Sequence, residues 1–262
     1  IGSSEDRVAD DLSRIYFRVV EDLGGGLQAI GQVEWRINFP AGTDSANGAD
    51  WVGLKSKRLG ALTLGRNDLH YNHTASTLIS KAALRAWNAS IVSAAGGGGT
   101  PVAFGSRTPN LIHYDSPSWS GFNLELAYST NPYGVENDIG GVQSRGNGWN
   151  IRPYYKANNL EIGYSYWRAK ADATTTGPTI AVCTGVGTPD PSCVAAGTAF
   201  LTAASTAQPG QRADRLYGSY GWQGFKFGLV FDRSKLRNEI TGATTSDRDA
   251  WSIPLSYQTG KH

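Results

Sequence analysis

The chain lacks any run of about eighteen consecutive apolar residues, which excludes a membrane-crossing helix. Charge is sparse: Asp, Glu, Lys and Arg make up 18% of the 262 residues, and the formal net charge is +2. The basic residues are scattered rather than run together, so a nucleic-acid partner is not expected. Histidine occurs four times and cysteine twice, as Cys183 and Cys193, which leaves little material for a metal centre or a Ser-His arrangement. There is no linker, no break in composition and no helical period to divide the chain. One domain over residues 1–262 is the simplest organisation for this length.

Short stretches that alternate apolar and polar residues are abundant. Phe122-Asn-Leu-Glu-Leu-Ala-Tyr128, Leu160-Glu-Ile-Gly-Tyr-Ser-Tyr166 and Phe225-Lys-Phe-Gly-Leu229 all show the period of two that gives a strand one greasy and one wet face. Between such stretches run tight turns at Gly24-Gly25-Gly26, Lys57 to Gly60, Ser116 to Gly121, Asn158-Asn159 and Gln223-Gly224. These alternate with long polar connections near 40–48, 69–106, 130–148, 170–214 and 237–249. Turns at one end and long loops at the other point to an all-β, antiparallel, up-and-down transmembrane barrel of the outer-membrane type. The mean hydropathy of −0.33 fits, because a barrel keeps a polar lumen.

Eleven strands are expected, at about 13–20, 27–39, 49–57, 61–68, 107–115, 122–130, 149–157, 160–169, 215–222, 225–236 and 249–259. Single-chain bacterial barrels close with an even number, and a bare edge facing lipid is not tolerated. The expectation is therefore a fragment, with a strand missing before residue 13 and others after His262, and with no secretory signal in view. Cys183 and Cys193 lie ten apart within one Gly/Pro-rich loop, which suits a disulfide in an oxidising compartment; a metal site there would need further ligands.

Five stretches resemble, in order, the general trimeric porins of Gram-negative bacteria, most closely their beta-proteobacterial branch: Ser13-Arg-Ile-Tyr-Phe-Arg18, Glu21 to Ile30, Val52-Gly-Leu54, Gly60-Ala-Leu-Thr-Leu-Gly-Arg66 and Tyr114 to Phe122. The resemblance covers residues 13 to about 130; beyond that only the strand pattern supports it. It implies a sixteen-stranded barrel in the outer membrane, of which the first strand and the last four are absent here. It also implies a homotrimer, and a water-filled channel narrowed by the third long loop, about 69–106, folding into the lumen.

Selectivity of such a channel lies in the charges on its inner wall. Arg14, Tyr16 and Arg18 alternate with Ile15, Phe17 and Val19, so both arginines share the polar face. The opposite face meets lipid, where Arg costs roughly 2–4 kcal/mol at the midplane. Glu34 and Arg36 oppose Val33, Trp35 and Ile37, and Arg152 opposes Ile151. The resemblance places Arg14, Arg66 and Arg107 at the constriction, with Arg18 further along the same lumen-facing row as Arg14. Strict alternation puts Arg66 on the lipid side, and a bulge at Gly65 is needed to turn it inward. His113 occupies a lumen-facing slot.

Residues 69 to 106 contain no Asp or Glu but include Lys81 and Arg85, so the neck is expected to be positive and to concentrate anions. Ala75 to Val92 reads as a short helix. His70-Tyr-Asn-His73 has metal-like spacing but no carboxylate, and reads as surface; Asp44, Asp50, Glu136 and Asp138 are weaker candidates for calcium in outer loops. The expected function is passive diffusion of small hydrophilic solutes, anions favoured, with no reaction and no cofactor. The competing reading is a structural or adhesive barrel with a plugged lumen, binding partners through its long loops.

Overall fold

The computed structural model describes residues 13–38, 42–45, 48–69, 108–132, 146–171, 210–239 and 241–257. Among these residues all regular structure is strand: β1 (Arg14–Gly24), β2 (Leu27–Asn38), β3 (Thr43–Ser45), β4 (Asp50–Ser56), β5 (Gly60–Asn67), β6 (Thr108–Asp115), β7 (Phe122–Ser129), β8 (Gly146–Ala157), β9 (Leu160–Ala171), β10 (Gly210–Trp222), β11 (Phe225–Arg237), β12 (Thr244–Ser252) and β13 (Leu255–Tyr257). They form one sheet in the order β1-β2-β4-β5-β6-β7-β8-β9-β10-β11-β12, with β3 beside β2 and β13 beside β11. Sequence neighbours on that path pair antiparallel, as an up-and-down wall requires.

The eleven expected strands are all present, and the differences are instructive. The loop expected over 40–48 contains the short β3. The strand expected from 215 begins at Gly210, and the connection expected over 237–249 shrinks to a turn over 238–243. There Gly242 N–H donates to Asn238 O at 2.9 Å and Asn238 N–H to Ala243 O at 2.8 Å. In both places the outward-facing residues are charged (Arg212, Asp214, Asp247, Asp249), so the apolar alternation vanishes although the ladder continues. The strand expected over 249–259 is split into β12 and β13 at Pro254, which has no N–H for the ladder. Its carbonyl still accepts from Gly228 N–H at 2.8 Å, and β13 resumes pairing with β11 at Phe225 to Phe227.

The two faces of this sheet invert the usual order of a soluble protein. Phe17 is 62% exposed, while Glu125 is fully buried. The apolar face also carries Val33, Val52, Leu64, Ile162 and Leu229, all exposed. Aromatic side chains bound this face at both ends: Phe122 against Tyr155 (4.9 Å) and Phe225 against Tyr257 (4.3 Å) near the short turns, and Trp149 against Tyr166 (4.9 Å) nearer the long connections. An apolar band flanked by aromatic girdles is the outer surface of a barrel in lipid. The other face is polar, with a small apolar cluster of Leu69, Leu111, Ala127, Trp167, Ala169, Ala213 and Leu236.

Backbone chemistry fixes the turns that set this register. Asn158 and Gln223 hold φ of 49° and 47° in the two-residue turns after β8 and β10. Gly60 has φ of 88°, and a Cβ there would stand 2.1 Å from the carbonyl oxygen of Asp115 on the neighbouring strand. Gly60→Val is therefore expected to lower unfolding free energy by roughly 1–3 kcal/mol, through αL strain and a clash with backbone. Urea unfolding of the full-length protein in detergent checks it, and an unchanged midpoint overturns it.

Candidate functional site

The polar face carries its charges as cross-strand pairs. On β2, Glu34 is 2% exposed and gathers four neighbours. Arg14 Nη1 donates to its Oε1 at 2.6 Å, Arg36 Nε stands 3.7 Å from the same oxygen, and the Ala49 N–H donates to Oε2 at 3.0 Å. The Glu34 N–H in turn donates to Asp50 Oδ1 at 2.7 Å. Gly48 makes room for this arrangement, since a Cβ there would lie 2.3 Å from that of Glu34. Arg18 sits one inner-face step away and takes a neutral partner: its Nε donates to Gln32 Oε1 at 2.8 Å.

A second cluster spans β6, β7 and β8. Asp115 and Glu125 are opposite each other in register, as are Glu125 and Arg152. Arg152 grips Glu125 Oε2 through Nε at 2.7 Å and through Nη2, and donates from Nη1 to Tyr217 Oη at 3.2 Å. Its guanidinium also stacks 4.4 Å from the Tyr154 ring centre. Tyr217 reaches this point because its neighbour Gly163 has no side chain; a Cβ there would lie 2.5 Å from the hydroxyl. His113, 2% exposed, presents Nε2 to Glu125 Oε1 at 3.4 Å and to Asp115 Oδ1 at 3.8 Å. Further along the wall, Arg215 Nε meets Asp232 Oδ2 at 2.8 Å and Lys156 Nζ meets Glu161 Oε2 at 3.0 Å.

Of the residues singled out in the sequence, Arg14, Arg18, Glu34, Arg36, His113 and Arg152 all share the polar face. Arg66 is half-buried opposite Asp50, at a break in register between Gly65 and Asn67. The bulge expected at Gly65 has its extra residue on β6 instead: Leu111 and Thr108 face Gly65 and Asn67, and Asn110 between them holds φ of 52°. Arg107, Lys81, Arg85, Cys183 and Cys193 lie outside the described residues, as do the helix expected over 75–92, His70, His73, Glu136 and Asp138. Sequence reasoning did not single out Glu125, Glu161, Arg215, Tyr217 or Asp232. Their period-two spacing was the available signal, and the partners became visible only with the register.

A continuous antiparallel wall whose apolar face is the exposed one, and whose enclosed face is lined by ion pairs, defines a β-barrel membrane protein with a polar interior. The model of the Gram-negative porin family matches residues 2–262, and the chain belongs to that family, as a protein of the bacterial outer membrane. It is 32% identical over 124 residues to an outer membrane porin protein of Bordetella pertussis, a match covering 45% of this chain and 30% of that protein. Among solved structures, an anion-selective porin from Comamonas acidovorans superposes with a TM-score of 0.64 at 20% identity, over 97% of this chain and 66% of that one. OmpF of Salmonella typhi, in complex with daunomycin, superposes with a TM-score of 0.51 at 15% identity, over 99% of this chain and 82% of that one. The chain thus spans less than two thirds of the length of the Bordetella and Comamonas proteins.

Proposed function

We propose that the full protein is a water-filled channel for passive diffusion of small hydrophilic solutes across the outer membrane, and that it favours anions. The observation that carries this is the charge pattern of the inner wall. Glu34, Glu125, Glu161 and Asp232 each stand within ion-pair distance of a basic side chain. Arg18, Arg36, Lys55, Lys226 and Arg248 add positive charge to the same face, against Asp22 and Asp115. Paired charges largely cancel at the distance of a permeating ion, so the excess sets the sign of the field. The Comamonas protein that shares this fold is itself an anion-selective porin.

The same proposal assigns Arg14, Arg18, Arg66, Arg107 and Glu34 to the narrowest part of the channel and Lys81 and Arg85 to its further lining, where the 69–106 segment brings no carboxylate of its own. It assigns the exposed apolar faces around Ile15, Phe17 and Trp35 to contacts with lipid and with two further copies in a homotrimer. A passive channel of this kind performs no reaction and needs no cofactor. Full-length protein added to a planar bilayer is expected to give stepwise, ohmic conductance. A barrel with a plugged lumen, acting as an adhesin or scaffold, would insert without conducting.

The proposal also joins Cys183 to Cys193 within the loop of the expected 170–214 span. Intact mass is expected to rise by two hydrogens on reduction. An unchanged mass means free thiols. The closed loop is short, so the stabilisation is about 3 kcal/mol or less and local.

A further inference from the structure

We infer that His113, Asp115 and Glu125 form a binding site for a divalent first-row transition ion, of the Zn2+ class, on the inner wall. Two adjacent strands build it. Asp115 lies directly across from Glu125, and His113 lies two residues before Asp115 on the same face of β6. One donor atom from each residue falls within 4.8 Å of the others. Tetrahedral bonds of ~2.0–2.2 Å place neighbouring ligand atoms ~3.3–3.6 Å apart. The separation of His113 Nε2 from Glu125 Oε1 is 3.4 Å, inside that range. Asp115 Oδ1 stands 3.8 Å from the same nitrogen, and its side chain is 49% exposed, so it has room to close the remaining few tenths.

One donor is held in place by another group. Arg152 takes Glu125 Oε2 and thereby turns Oε1 towards the imidazole. A metal on His113 Nε2 puts the ring proton on Nδ1, so the Asn67 amide nitrogen, 3.5 Å from Nδ1, has to turn away when the ion binds. A contact like that of Arg152 with Glu125 orients ligands in known metal sites. The charges also suit a cation: two carboxylates and a neutral imidazole, offset by one guanidinium, leave one negative charge. One imidazole nitrogen and two carboxylate oxygens form the face of a tetrahedron, and Asp115 opens the fourth position to water in the lumen.

The inference relies on the wall facing water and not on any preference for anions, and its test reads neither conductance nor selectivity. Full-length protein in detergent, stripped of metal, is titrated with Zn2+ by calorimetry and by equilibrium dialysis with metal analysis. One saturable Zn2+ per chain is expected. Asp115→Asn, at a half-exposed position, should weaken it at least ~10-fold, and His113→Ala by more than the ~100-fold that an outer-contact partner contributes. The pair His70→Ala with His73→Ala should leave that affinity unchanged. Equal uptake by wild type and Asp115→Asn, or no saturable uptake, overturns the inference.

Discussion

Asp232→Ala is expected to lower the unfolding free energy of the full-length protein by roughly 3–5 kcal/mol. Asp232 stands opposite Arg215 in register, and the two side chains are 3% and 2% exposed at an Nε–Oδ2 distance of 2.8 Å. Removing the carboxylate takes the counter-charge from a guanidinium that has little water to replace it. The outer face supplies the control. Arg233 and Asp249 are also directly opposite, at 3.3 Å, but are 52% and 54% exposed. Asp249→Ala should cost about 0–1 kcal/mol, because solvent screens that pair. Urea unfolding of both variants in the same detergent decides it. A difference below about 1 kcal/mol means that the inner pair is as well hydrated as the outer one. Arg215→Leu combined with Asp232→Leu should recover much of the loss, since replacing both members of a buried pair is often close to neutral.

That contrast also shows which part of the architecture was legible in the sequence. Period-two alternation assigned Arg14, Arg18, Glu34, Arg36 and Arg152 to the polar face, and the register agrees at each. It failed where the outward-facing residues stop being apolar. Arg212 and Asp214 face outward on β10, and Asp247 and Asp249 do so on β12, so those stretches looked like polar loop. The ladder continues there because hydrogen bonding does not require lipid on one side. Partnerships were less legible than faces. Glu125 meets Arg152 across 27 residues and Tyr217 meets Arg152 across 65, and these separations depend on loop lengths and register that no local pattern specifies. Arg66 marks the limit. Its orientation turns on an extra residue in another strand, at Asn110, which Gly65 could not reveal.

Across a salt gradient the full-length channel is expected to give a reversal potential of the anion-favouring sign, and Arg18→Ala should reduce it more than Arg14→Ala does. Arg14 lies 2.6 Å from Glu34, so at the distance of a permeating ion the two charges largely cancel. Arg18 shares the same face but donates to the neutral amide of Gln32 at 2.8 Å, which leaves its charge less compensated. At an effective dielectric near 20, one unit charge ~6 Å from an anion contributes about 3 kcal/mol before screening. A Debye length of about 8 Å reduces this to roughly 1 kcal/mol, a five- to tenfold factor in local anion concentration. Glu34→Gln acts in the opposite sense: it removes the carboxylate between Arg14 and Arg36 and should strengthen the anion preference, provided the channel still inserts. All three shifts should shrink as salt rises, because they act through a screened field. A cation-favouring sign would overturn the assignment of the wall as a net positive surface. A larger loss from Arg14→Ala than from Arg18→Ala would show instead that Glu34 does not neutralise its arginine where the ion passes.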